Sequence, residues 1–437
     1  MNAYSTVKTS RTIAAGAVAS GLFASVGLGA VPIANATCAS FFGIGNSADC
    51  TSNLLSWAVA VGDGASAHAE GSVGGAFALG MNNTAATGGG SILNLAISAF
   101  GSNNSVVAEG AISNWATNIG GDNNTVSTTG SLFNTATNIL GDGNVVTTQA
   151  GYVNWARNVF GDNNVVTVNG GVANWARNAF GDNNNLTIQA GNANTARNIF
   201  GSDNTVTVQG GSGNLARNLF GDNNDITTQV GLSDVALNFL GSDNAITATG
   251  GSFNGARNIA GNGNELSSGG PGSNRNLALN VLGGANELSA GGPGSNVNAA
   301  LNVGGGANVI RAGASDSTPG NFNAGFNVFG TGNTVAAGPG PLAFAGSVFA
   351  DDRTPTQSGP GVAINNNRFG GAATQSGQST TARTTNAQST KSVDAQKVGK
   401  HRAQTNNPVS SATKKLRDSL KKATESKHAK AESADAD

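Results

Sequence analysis

A 20-residue repeat constrains this chain more than any other feature. Gly recurs at 101, 121, 141, 161, 181, 201, 221, 241 and 261, and Asn recurs three residues after each, from 104 to 264. An aliphatic residue follows two positions later, as in Val106, Val126, Val146, Val166, Leu186, Val206, Ile226, Ile246 and Leu266. The other half of each unit carries Ala, from Ala116 to Ala256, with Asn two residues to either side and Asp234 the one departure. A period this strict means stacked, near-identical units.

Each unit is two halves of ten residues. Ten residues are too few for a helix with its turns but enough for a short strand and a corner. Gly at the start of each half supplies the positive φ a corner needs. Alternation along a strand puts Asn164 with Val166 on one face, and Asn174, Ala176, Asn178 and Phe180 on one face of the other. Both faces read as inward. The expected fold is all-β, a β-solenoid of stacked two-strand coils of 20–22 residues, with a disordered C-terminal tail.

A buried Asn amide is costly unless paired. In a stack it can donate to the copy on one side and accept from the copy on the other, as in Asn ladders. Asn164, Asn174, Asn178, Asn184, Asn194 and Asn198 are the expected ladder residues; Asn is also common in turns.

The outward positions suggest a surface. Arg157, Arg177, Arg197, Arg217 and Arg257 share one register, and Asp122, Asp142, Asp162, Asp182 and Asp222 share another, five residues later. Arg–Asp pairs across the corner would neutralise the like-charge column. Trp115, Trp155 and Trp175 flank the arginines on one side, and Ile119, Ile139, Val159, Ile199 and Leu219 on the other. By parity these point out and form an apolar stripe, the mark of an interaction surface. The other reading is that the corner shifts parity and buries the Ile/Val set beside Phe. Thr147 to Thr247 form an outward column of the kind strands favour.

Residues 1–36 have the form of a secretory signal peptide: Lys8 and Arg11, an apolar stretch, then Ala34-Asn35-Ala36. No later stretch is long and apolar enough to span a membrane. Cys38 and Cys50 most simply form one disulfide in a secreted chain, within an N-terminal cap over 37–52. Repeats are expected over 53–338, in about fourteen coils, with a possible C-terminal cap at 339–353. Gly62, Gly71 and Gly80 keep the half-unit at nine residues, and GGPGSN inserted at 269–274 and 291–296 lengthens two coils. From 354 on, a Ser/Thr/Gln-rich linker leads to a Lys-rich tail with Lys414, Lys415, Arg417, Lys421 and Lys422, expected to be disordered. The net charge of −1 therefore conceals a neutral-to-acidic repeat region and a basic tail.

The stretch CASFFGIGNSADCTS followed by WAVAVGDGASAHAEG resembles the start of a group of uncharacterised secreted proteins of mycobacteria and relatives, which implies an extracellular or envelope location. Trp57–Gly88 resembles the head repeats of trimeric autotransporter adhesins. Gln149-x-Gly151-x-x-Asn154-x-Ala156, repeated from Gln189 to Ala196, resembles the curlin repeat. That likeness implies strand–loop–strand coils and polymerisation into fibres, but the second curlin Gln is Phe or Leu here. In composition the tail is similar to those of mycobacterial heparin-binding adhesins.

Catalytic groups are scarce. His68 has no nucleophile at a recognisable spacing, and His401 and His428 lie in the tail. The Asp column shows no break of the kind that clustered carboxylates for glycan cleavage would make. No enzyme activity, metal or cofactor is expected. The expected function is that of a secreted or envelope-associated structural or adhesive protein. Its partners would be a second copy or an anionic glycan or lipid, with no specific nucleic acid. A self-assembling amyloid subunit is the alternative, and a glycan-active enzyme a more distant one.

Overall fold

The computed structural model describes residues 37–315 and 318–369. The signal peptide and the basic tail expected from the sequence lie outside these residues. The described chain is a β-solenoid of about 16 turns with no helix, two turns more than the repeat count implies.

Two parallel sheets face each other across a thin core. Sheet A has 19 strands and sheet B has 16. One turn shows the pattern. Trp155–Val159 lies in sheet A, the chain bends through Gly161 and Asn163, and Val165–Val168 lies in sheet B. Asn163 holds the corner at φ 54°, a left-handed conformation that Asn tolerates better than most residues. The next turn repeats in register, with Ala156 beside Ala176, Asn158 beside Asn178, and Val166 beside Leu186.

Alternation sends Ala and Asn of sheet A inward against Val, Leu and Ile of sheet B. Ala176, Leu186, Val206 and Ile226 are fully buried. Small side chains on one sheet and large ones on the other fill the narrow gap between the layers. Gly161 shows how closely turns approach: at φ 121°, a Cβ there would strike the carbonyl of Gly181.

The expected Asn ladder is present as three buried columns. In the column of Asn178, each amide Nδ2 from Asn138 onward donates to Oδ1 of the preceding turn, as in Asn178 to Asn158 and Asn198 to Asn178, both at 2.8 Å. In the columns of Asn164 and Asn174, Oδ1 instead accepts the main-chain N–H of the next turn. Asn184 N–H reaches Asn164 Oδ1 at 2.9 Å, and Asn194 N–H reaches Asn174 Oδ1 at 2.9 Å. Nδ2 of Asn174 and Asn194 donates to the carbonyls of Gly191 and Gly211, at 2.8 and 3.1 Å. Nδ2 of Asn184 adds a bond to Asn164 Oδ1 at 3.1 Å. For Asn124, Asn144 and Asn164, Nδ2 has no partner and Oδ1 alone links the turns.

Each end of sheet A is closed by an antiparallel strand. Thr37–Phe41 runs antiparallel to Trp57–Val61, and Ile44–Gly45 folds back on it. A Cys38–Cys50 disulfide, with Cα atoms 5.6 Å apart, ties this strand to the first strand of sheet B, Cys50–Ser52. At the other end Asn367–Phe369 is antiparallel to Gly361–Ile364. A parallel stack left open would offer its edge to another chain.

Two boundaries differ from the sequence reading. Residues 339–353 are not a cap: Ala343–Val348 is a full sheet A strand in register with Ala324–Val328. Residues 354–369 are not disordered: Thr356–Gln357 joins sheet B, and the true cap is 361–369. The Asn marker fails here because Ser347 takes the place of Asn327, its hydroxyl bonding Asn333 Oδ1 at 3.1 Å. The inserted segments leave the stack intact, Ala256 pairing with Ala278 and Ala278 with Ala300.

Candidate interaction surface

The outer faces of the two sheets differ in chemistry. Sheet B shows Thr167, Thr187 and Thr207 with Gln189 and Gln209. Sheet A shows a broad apolar surface with the arginine column running through it.

The strand Trp155–Val159 explains the arrangement. Inward alternation of Ala156 and Asn158 leaves Trp155, Arg157 and Val159 facing out. Trp115, Trp155 and Trp175 are 53%, 49% and 39% exposed, and Trp155 meets Trp175 edge to face at 5.9 Å. On the other side of the arginines, Ile119 is exposed and Ile139, Val159, Ile199 and Leu219 are half-buried.

Phe180 corrects the sequence reading. Parity places it inward beside Asn178, yet it is 40% exposed. The corner does not bury the Ile/Val set beside it either. The interior is already filled by Ala and Asn of sheet A packed against Val, Leu and Ile of sheet B, which leaves no room for a phenyl ring, and the chain turns out as the strand ends. Phe160, Phe180, Phe200 and Phe220 instead stack on one another along the outside, with centroids 5.3, 4.9 and 5.1 Å apart and planes within 5°. Strict parity hides this column by assigning it to the core; its 20-residue spacing is the signal that could have revealed it.

The Arg–Asp pairs expected across the corner are absent. Among the described residues the one ion pair is Arg311–Glu287, at 2.8 Å. The acidic column is used differently: Oδ1 of Asp142, Asp162 and Asp182 accepts the main-chain N–H of the residue one turn earlier, at 2.7, 2.7 and 2.8 Å. Asp222 does the same for Ser202 at 2.8 Å. A carboxylate held at the corner by its own backbone ladder does not reach the arginines.

Arg157, Arg177, Arg197 and Arg217 therefore stack in consecutive turns, in register, about 4.8 Å apart, without a counter-charge. Nε of Arg177, Arg197 and Arg217 is buried with no partner. Burial first, and the neighbouring arginines second, hold the pKa of Arg157 and Arg197 below the ordinary guanidinium value. The column ends where Leu237 replaces Arg. The Phe column occupies the same four turns and gives way to Leu240. Arg and Phe columns together thus define one four-turn patch.

Elsewhere the structure brings His68 Nδ1 to 2.9 Å from Thr51 Oγ1, a neighbour the sequence spacing does not show. Among the described residues no hydrogen bond is found at the other ring nitrogen of His68. A concavity beside it is lined by Thr51, Ser52, Asn53, Glu70, Gly89 and Gly90. Among the described residues, no group of three or more His, Cys, Asp or Glu is placed to hold a metal ion, and no helix is long and apolar enough to cross a membrane. The basic-tail residues Lys414, Lys415, Arg417, Lys421 and Lys422 fall outside the described residues. Searches with the whole chain match no known protein family, curated protein or solved structure.

Proposed function

We propose that this chain is a non-catalytic structural or adhesive repeat protein of the cell envelope or extracellular space, and that the outer face of sheet A is its contact surface. The observation that carries this reading is the four-turn patch of arginines without counter-charges, set between the exposed Trp155 and Trp175 on one side and, on the other, the half-buried Val159, Ile199 and Leu219 with the exposed Phe column beyond them. An apolar surface of this extent on the outer face of sheet A, opposite a face on which Thr and Gln predominate, is an interaction surface rather than ordinary scatter. The Cys38–Cys50 disulfide fits an oxidising compartment. The Lys-rich tail would add a second, electrostatic contact with anionic surfaces. Fibre growth end over end finds less support, because antiparallel strands close both ends of sheet A.

Retention on isolated cell-envelope fractions tests the reading. The chain from residue 37 onward should bind, and the fourfold variant Arg157→Ala, Arg177→Ala, Arg197→Ala, Arg217→Ala should lose most of that binding. Truncation after residue 369 measures the share due to the tail. Equal retention of the wild type and the fourfold arginine variant would refute the patch as the contact surface.

A further inference from the structure

The stacked phenylalanines narrow the choice of partner. Phe180 and Phe200 have both ring faces covered by the rings above and below, with planes within 5°, so the column turns ring edges outward. Sugars and nucleic acid bases bind aromatic side chains through free ring faces. An edge-on column offers apolar bulk instead, suited to packing against another protein surface. The partner must also supply negative charge at the pitch of the arginines.

This chain itself carries one such surface. Its corner carries Asp in three of the four patch turns, at the pitch of the arginines. Asp162, Asp182 and Asp222 lie five residues after Arg157, Arg177 and Arg217, across the Val/Ile and Phe columns, and Ser202 lies five after Arg197. In each of the three aspartates Oδ1 is the oxygen that accepts the corner N–H, which leaves Oδ2 for a partner. We infer that the patch joins two copies of this chain about a two-fold axis parallel to the stack, each copy's arginines meeting the other's Asp corner.

The geometry follows from symmetry. Such an axis preserves height along the stack, so each turn faces the same turn of the second copy. Placed between the Arg and Asp columns, it lays the Phe and Val/Ile columns of the two copies against each other. It also sets Arg157, Arg177 and Arg217 opposite Asp162, Asp182 and Asp222, and Arg197 opposite Ser202. This is an isologous interface, which closes at two copies. The Lys-rich tail, being of the same sign as the arginines, is not matched to the patch. The inference rests on the reading of sheet A's outer face as a contact surface and names its occupant.

Charge exchange tests it by sedimentation of the chain from residue 37 onward. The wild type should sediment as a dimer. Variant one carries Arg157→Asp, Arg177→Asp and Arg217→Asp; variant two carries Asp162→Arg, Asp182→Arg and Asp222→Arg. Each alone should be monomeric, because like charges then face each other, while an equimolar mixture should restore the dimer. A Ser variant of the three aspartates guards against a folding defect. Ser202 already accepts the main-chain N–H of Asp182 at that corner, so the variant keeps the corner bond and should weaken the dimer about tenfold or more. A monomeric wild type, or either charge-reversed variant dimerising alone as well as the wild type, overturns the inference. A monomeric wild type that pellets with anionic phospholipid vesicles, and loses this in the fourfold Arg→Ala variant, also ends the dimer but leaves the contact-surface reading standing.

Discussion

The side-chain amide of Asn198 donates to Oδ1 of Asn178 at 2.8 Å, and Asn218 donates to Asn198 in turn at 2.8 Å. All three are fully buried. Truncating one member therefore orphans a donor above and an acceptor below. Asn198→Ala should cost about 2–4 kcal/mol. The exposed Asn185 in sheet B serves as control, and Asn185→Ala should stay within about 0.5 kcal/mol. Because repeat stacks need not unfold in one step, amide hydrogen exchange across turns 175–220 is the measurement. Equal protection in the two variants would discredit the ladder as a source of stability.

Asp234 is the single acidic residue in an Asn column and is fully buried. Its Oδ1 accepts the N–H of Asn254 at 2.8 Å, but Oδ2 has no partner. The Asn residues around it use Nδ2 to reach a carbonyl, Asn214 to Gly231 at 3.1 Å, and a carboxylate has no proton to give. Burial raises its pKa to about 6 from 3.8, against the opposing pull of the bonds from Asn254. The folded state thus holds its proton more tightly than the unfolded chain. Stability should be full below about pH 4, fall as the pH rises to about 6, and stay low above, by up to about 3 kcal/mol. Asp234→Asn should remove this fall. Thermal melts of both forms between pH 4 and 7 check it; parallel curves would contradict it.

Gly181 combines φ 115° with a neighbour, the carbonyl of Gly201, that leaves no space for a Cβ. Gly181→Ala should cost more than about 2 kcal/mol. At Gly359 the methyl group of an alanine would meet nothing within 4 Å, and φ is not positive, so Gly359→Ala should be nearly neutral. Urea denaturation of the two variants compares them, and similar midpoints would show that turn spacing can relax.

Removing residues 361–369 strips the last paired strands from Ala343–Val348. The uncovered edge should recruit other chains. Light scattering should rise with time for the truncated chain while the full chain stays clear. A truncated chain that remains clear would show that the terminal hairpin is not what blocks edge pairing.

The periodic positions made the architecture legible: Gly at corners, Asn two residues before Ala or Val, and a 20-residue offset between turns. Asn178 and Leu186 sit where alternation places them. What stayed hidden depended on space rather than pattern. Phe180 shares parity with Asn178, but whether a ring fits inside depends on the gap between sheets, which only packing decides. The Asp162 carboxylate was open to two partners, Arg157 and its own backbone ladder, and one-dimensional spacing does not rank them. The last turns escape notice because Ser347 replaces the Asn marker.

The antiparallel closures at Thr37–Phe41 and Asn367–Phe369 have a consequence for how such a protein changes over generations. Because every interior turn docks on a near-copy of itself, a whole turn can be duplicated or lost in the gene without redesigning either terminus. Reach could then change by whole turns, while the same two end pieces would go on sealing the edges of sheet A.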